Sequence, residues 1–310
     1  MRLKTLVLDS WMDILEGEPE RVADVPILHH YTDAAGLHGI VSSHRLWATA
    51  AQFSNDLSEI EYALTTACEV IEDTWKGRKT LSAWEHMLHA HLQRFFAAPF
   101  PDFNQSFLVS FCEEGDLLSQ WRAYGHRSGF SLAFKLRAGE SDLLRCEKAF
   151  RTLLRKVIYD PAAQRQRLNF LFKRLIKLVN GFQSTPSSDE KHGGKLHVEL
   201  SLILILELTD WACSVKHNAF SEEREWRLIS FTNFGAKVEK NVGVLVRPTP
   251  EFLIPYMVLR STKSARLPIV EVRCGPSRLQ AELARAATIL LNKEGYGSVS
   301  IEYSKIPLRI

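Results

Sequence analysis

No Gly-x-Gly-x-x-Gly stretch, phosphate-loop motif or Gly-x-Ser-x-Gly elbow occurs in the 310 residues. Ordinary Rossmann and kinase-type nucleotide binding, and an elbow-type serine nucleophile, are therefore not indicated. Cysteine is sparse: Cys68, Cys112, Cys146, Cys213 and Cys274 are scattered, odd in number and never in a Cys-x-x-Cys pair. A zinc site or disulfide framework is not expected, and the thiols read as reduced groups in or near a core. His86, His89 and His91 have the wrong spacing for His-Glu-x-x-His, so no metal is expected. Long apolar runs are missing too. The most apolar stretch, Leu200–Leu208, follows Glu199 and contains Glu207, and it falls far short of the about 20 residues that span a bilayer. Met1–Ser10 mixes Leu and Val with Arg2, Lys4 and Asp9 and lacks the apolar run and cleavage site of a signal peptide. A cytoplasmic protein with no membrane partner is the expectation. Charge is nearly balanced, at +3, which does not by itself argue for nucleic acid.

What is present is ordinary globular composition, 45% apolar and 24% charged, in a chain long enough for a sizeable core. A single domain over 1–310 is expected, with helical insertions at about 57–97 and 161–217. Residues 183–194, rich in Ser and Gly, predict a flexible surface loop. Short extended runs fall at Pro26–Tyr31 and Leu46–Ala48, around a helix over Ala34–Ser42. Ser54-Asn55-Asp56 reads as a helix cap. Two helices then follow, broken near Lys76-Gly77. Strands are predicted over Ser106–Cys112, Gly129–Leu136, Phe150–Tyr159, Trp226–Thr232, Val242–Val246, Met257–Leu259, Ile269–Cys274 and Ser298–Tyr303. Helices are predicted over Asp116–Tyr124, Gln164–Phe182, Lys195–Val215 and Pro276–Glu294, with Pro276 in the first turn. The helix at Gln164 is basic, and Arg165, Arg167, Lys173, Arg174 and Lys177 read as a solvated face. Strands and helices do not alternate regularly. The fold class predicted is α+β, a mixed and largely antiparallel sheet with inserted helices.

Three clusters could carry chemistry. His29-His30-Tyr31-Thr32 ends the first strand and supplies imidazole and hydroxyl groups for hydrogen bonds to a sugar or amide. Trp121-Arg122-Ala123-Tyr124-Gly125-His126 suits stacking on a flat ring with close backbone approach. Glu222-Glu223-Arg224-Glu225-Trp226-Arg227 opens a late strand. If the strand includes all of it, Glu223 and Glu225 share a face, and their repulsion raises one carboxyl's pKa. Each cluster also has a plain reading: a cap, packed core aromatics, a strand edge bridged by Arg224 and Arg227.

Taken in order, these pieces resemble the bacterial family catalogued as domain of unknown function 2971. The matching pieces are His30-Tyr31-Thr32, Leu46-Trp47-Ala48, Asn55-Asp56 with Glu59, and Ser110-Phe111 leading to Trp121 and Tyr124. Further along come Gly129–Phe134, Lys216-His217 to Arg227, Val272–Pro276 and Ser304–Arg309, so the resemblance runs over about 27–309. A more distant motif order resembles ADP-ribosyltransferases: an early His strand, a central aromatic, a late strand with Glu-x-Glu. That resemblance implies a split sheet and NAD as substrate. It implies Glu225 and Glu223 as catalytic residues, the first beside the ribose and the second positioning the acceptor. It further implies His30, Tyr31, Thr32, Trp47, Tyr124 and Arg122 as the groups that bind NAD. The acceptor, nucleic acid or protein, is left open, as is a role as a bacterial defence or toxin effector. The alternative is a non-enzymatic nucleotide- or protein-binding module of a defence or toxin–antitoxin system.

Overall fold

The computed structural model describes residues 25–53, 58–76, 86, 90, 106–125, 129–136, 144–146, 149, 151–183, 203, 206–232 and 243–307. The Ser54-Asn55-Asp56 cap, the helix expected beyond Gly77, His89, His91, His126, residues 184–194 and Met1–Ser10 lie outside them. The chain forms two compact units.

The first unit comprises Met1–Arg21, Asn55–Asn104 and Ile158–Asn218. Its described helices are α2 (Ser58–Trp75), α4 (Pro161–Gln183) and residues 206–213. In α2 the buried Ala63, Ala67, Val70 and Ile71 follow helical spacing. The buried stripe of α4 is Gln164, Arg167, Leu168, Leu171 and Phe172. Two polar groups in that stripe need partners. The Gln164 amide donates to Ile158 O (2.6 Å) and Lys216 O (2.9 Å) and accepts from the Tyr62 hydroxyl at 2.8 Å. Arg167 meets the buried Asp210 at 3.5 Å. Arg165 pairs with Glu69. The solvated basic face expected for this helix is thus corrected at Arg167, which helical spacing turns inward.

The second unit comprises Val22–Ser54, Gln105–Val157 and Ala219–Ile310, and it holds the eleven-stranded sheet. In chain order the strands are β1 (Ile27–Thr32), β2 (Leu46–Ala50), β3 (Ser106–Cys112), β4 (Phe130–Lys135), β5 (Leu144–Arg145) and β6 (Arg151–Lys156). They continue as β7 (Glu225–Phe231), β8 (Val244–Pro248), β9 (Leu253–Ser261), β10 (Ile269–Cys274) and β11 (Ser300–Tyr303). Its helices are α1 (Ala34–Ser43), α3 (Leu118–Tyr124) and α5 (Gln280–Lys293), with a 3-10 turn over Asn218–Glu223. Among the described strands, only β10 and β11 pair in parallel. The fold is α+β with a mixed, mostly antiparallel sheet.

The sheet forks at β3. One edge of β3 pairs with β7 along its whole length, from Ser106↔Phe231 to Cys112↔Glu225. The other edge is shared end to end. Phe107 and Leu108 pair with β2, and Cys112 pairs with His29 of β1. From β1 one limb runs through β4 to β10 and β11; from β2 the other runs to β9, β8 and β5. One face of both limbs is core: Leu28, Phe111, Leu132, Phe134, Trp226, Met257 and Leu259 cluster with Leu37, Ile40 and Val41 of α1 and Ala284, Ala287 and Leu291 of α5. α1 starts at Asp33, whose carboxylate accepts from Gly36 N at 2.7 Å. α5 begins later than expected, because Pro276 precedes the helix and Gln280 ties back to Cys274 O, Gly275 O and Ser304 O.

Candidate functional site

Side chains on a strand alternate between faces, and laterally paired residues share a face. The register therefore sorts the expected site residues. His29 pairs with Cys112, and Cys112 pairs with Glu225. On the other side His29 pairs with Ala133, and Ala133 with Glu271. One row thus crosses five strands: Glu271, Ala133, His29, Cys112, Glu225. His30 projects from the opposite face. Its ring meets Phe111 at 5.9 Å, and its Nδ1 lies 3.0 Å from Ser110 O, at the fork between β1 and β3. Burial lowers the His30 pKa, against the pull of the Ser110 carbonyl.

Two Glu-x-Arg pairs flank His29. Arg227 holds both oxygens of the buried Glu225 carboxylate, at 2.8 and 2.9 Å. Arg273 donates to Glu271 at 2.9 Å. Both contacts join residues two apart on one strand, as alternation requires. The buried Nε of Arg273 has no acceptor among the described residues. The His29 ring lies against Gly115, where an added Cβ would come within 2.5 Å of Cε1 and Nδ1. Burial lowers the His29 pKa, Glu271 and Glu114 oppose that shift, and Arg273 adds to it.

Tyr31, on this same face, is core: its ring packs edge-on against Trp121 at 4.7 Å. Its hydroxyl donates to Glu114 O at 2.8 Å and accepts from Leu117 N at 2.9 Å. Burial raises its pKa. The same contacts seat α3 on the His29 side. Trp121 is anchored by Nε1 to Asp116 at 2.8 Å, and Asp116 also accepts from Ser304 Oγ and Lys305 N. α3 ends with Arg122 and Tyr124, both exposed. Thr32 shares the His30 face, by alternation, and is half-buried. Trp47 is exposed and sits on β2, in the other limb of the fork.

The carboxylate pair needs correcting in its geometry. β7 starts at Glu225; Glu223 closes the 3-10 turn, and Arg224 between them is left-handed, with φ 42°. Strand alternation therefore does not put Glu223 beside Glu225. What the Glu223 backbone does is accept from Cys112 Sγ at 2.9 Å. The Glu225 carboxylate is held by the arginine two residues on. Among the described residues no group of His, Cys, Asp and Glu is arranged to hold a metal, and no helix is long and apolar enough to cross a membrane.

The residues that sequence reasoning missed are Glu271 and Arg273. The recurrence of Glu-x-Arg in Glu225-Trp226-Arg227 and Glu271-Val272-Arg273 is the signal that marks them, since that spacing makes a same-face ion pair on a strand.

Residues 120–228 match a family model described as "Protein of unknown function (DUF2971)". The DUF2971 segment is narrower than the span suggested by motif order. It takes in α3 from Gln120, β4, β6, α4 and the start of β7, and so includes Trp121, Arg122, Tyr124, Glu223, Glu225 and Arg227. His29, His30 and Trp47 fall outside it. Searches of curated proteins and of solved structures give no match.

Proposed function

We propose that the His29 face is the site of an NAD-consuming reaction, ADP-ribosyl transfer to a macromolecule or NAD hydrolysis. The observation that carries the proposal is the lateral row joining His29 to Glu225 across β3, on the side of the sheet where α3 presents Tyr124 and Arg122. Neighbouring strands lie about 4.8 Å apart, so the two backbones are separated by about 10 Å, room for a ribose with its nicotinamide. The fork at β3 adds support, because a split sheet is what a transferase of this kind would use.

Each group has a chemical task in this reading. The nicotinamide–ribose bond breaks with its electron pair leaving on nicotinamide, and positive charge develops on the ribose. Glu225, oriented by Arg227, accepts a hydrogen bond from a ribose hydroxyl and stabilises that charge. The acceptor's nucleophile, or water, then bonds to the anomeric carbon and loses its proton. Glu223, in the turn before β7, positions that acceptor. His29, held neutral near pH 7 by burial, bonds the ribose or carboxamide. Arg273, with an Nε lacking an acceptor among the described residues, suits a diphosphate oxygen. Tyr124 stacks on the ring. His30 takes a positioning role at the fork instead of a binding one.

The experiment is release of nicotinamide from NAD by the whole chain, with nucleic acid, protein or water as acceptor. Release that E225Q lowers by about 100-fold supports the proposal; release equal to E225Q with every acceptor overturns it. In a defence or toxin setting, expression lowers cellular NAD in the same Glu225-dependent way.

A second reading is favoured by one observation: both oxygens of Glu225 are already engaged by Arg227. A non-enzymatic module binding a nucleotide or protein partner would keep the pair intact. It would show ligand-dependent thermal stabilisation without turnover.

A further inference from the structure

Ser131 stands on the His29 face of β4. Ala133 pairs with His29, and Ser131 lies two residues away along the same face, diagonal to the ring. Its side chain is wholly buried, at 0% exposure, and a buried hydroxyl needs a partner for its proton. Among the described residues the one partner of its Oγ is His29 Nδ1, at 3.4 Å. Gly115 closes the same edge of the ring, since an added Cβ there would come within 2.5 Å of Nδ1 and Cε1. The other ring nitrogen, Nε2, has no partner among the described residues.

The contact is long, yet it settles which nitrogen carries the proton. A neutral imidazole has one donor and one acceptor, and burial favours the neutral ring against the pull of Glu271 and Glu114, with Arg273 adding to burial. With the proton on Nδ1, the ring would donate to Ser131 Oγ and leave the buried O–H without an acceptor. With the proton on Nε2, the Ser131 hydroxyl donates to Nδ1 and both groups are satisfied. Turning the ring over sets a carbon against Ser131 and again strands the hydroxyl. We infer that Ser131 is a positioning residue that fixes His29 as the Nε2–H tautomer, so that His29 meets its ligand only as a hydrogen-bond donor. The ligand atom it takes is an acceptor oxygen, a carboxamide carbonyl or a ribose hydroxyl. The imidazole lone pair is spent on Ser131, so the proton lost by an attacking nucleophile goes to a group other than His29. The choice of ligand rests on the NAD reading of this face; the tautomer does not.

The tautomer is read by two-bond proton–nitrogen NMR of the whole chain carrying isotope-labelled histidine, near pH 8, with H29Q locating the His29 signal. The proton should sit on Nε2, and the bare Nδ1 should be shielded by the bond it accepts. S131A should move Nδ1 to the position of an unbonded ring nitrogen and lower nicotinamide release about fivefold, the worth of one hydrogen bond. S131T, which keeps the hydroxyl on a side chain suited to a strand, should restore both. A cooperative thermal melt for each variant shows that the signal comes from folded protein. H29Q, whose amide donates near the Nε2 position but takes no proton near neutral pH, should release nicotinamide faster than H29A. A proton on Nδ1 in the wild type overturns the inference. So does an Nδ1 signal that S131A leaves in place, or equal release from H29Q and H29A in a chain that turns over NAD. A wild type that releases no nicotinamide but shows the Nδ1 shift removes the NAD reading and keeps the tautomer.

Discussion

His29 and Glu225 project from the same face of the sheet, separated only by Cys112, while His30 projects from the other face. The adjacent histidines thus occupy different chemical environments. His29 sits between two Glu-x-Arg pairs. His30 sits against Phe111 in the fork.

That separation makes the two histidines distinguishable by activity. H29A is expected to lower nicotinamide release by about 100-fold, the loss typical of a positioned proton or hydrogen-bond partner. H30A should cost chiefly stability, about 1 kcal/mol for the lost bond to Ser110 O. Single-turnover assays beside urea unfolding check both. Intact release in H29A would show that His29 takes no part.

Breaking the Glu225–Arg227 pair should be costly. R227M leaves a buried carboxylate without its partner, and a loss of about 3–5 kcal/mol is expected. The double variant E225L/R227M should recover most of that loss without recovering turnover. Chemical denaturation of the two variants is the measurement, and equal destabilisation in both would contradict the pairing.

Gly115 should be coupled to His29. G115A puts a methyl 2.5 Å from imidazole atoms, an overpacking expected to cost about 1–3 kcal/mol. Removing the ring in G115A/H29A should relieve it, giving a coupling of about 1 kcal/mol in a double-mutant cycle. Strict additivity would mean the ring does not lie there.

Acid should weaken the fold through the same two histidines. Burial lowers both below 6.5, despite opposing carboxylates at His29 and the Ser110 carbonyl at His30. The unfolded chain then binds protons more readily than the folded one. Their contribution to stability is complete above 6.5 and is lost as pH falls through the depressed folded values. Unfolding free energies should fall between pH 7 and pH 5, and H29Q and H30Q should each flatten that decline.

In the first unit, Q164L should cost about 1–2 kcal/mol, because Ile158 O and Lys216 O each lose a donor, while Ile158 O keeps its bond from Lys216 N. Y62F, removing one bond to Gln164, should cost about 1 kcal/mol. Calorimetry of the two variants gives the ratio, and a neutral Q164L would disprove the hub.

Local pattern alone placed most elements. Ser106–Cys112 and Ile269–Cys274 form the strands expected of them, because β-branched and aromatic runs bounded by polar turns have few other packings. The helix after Asp33 follows from its cap and its apolar spacing. The two-residue β5 was missed, since so short a strand exists only through its pairing with β9. The sequence by itself determined an α+β chain with candidate chemistry near its first strand and at the start of β7. Which histidine faces the carboxylate was decided by tertiary structure alone. Alternation tells that His29 and His30 point opposite ways, but only the pairing of β1 with β3, and of β3 with β7, tells which of them shares the Glu225 side. The start of β7 was likewise settled by the left-handed Arg224, which separates Glu223 from Glu225 and leaves Arg227 as the carboxylate's neighbour.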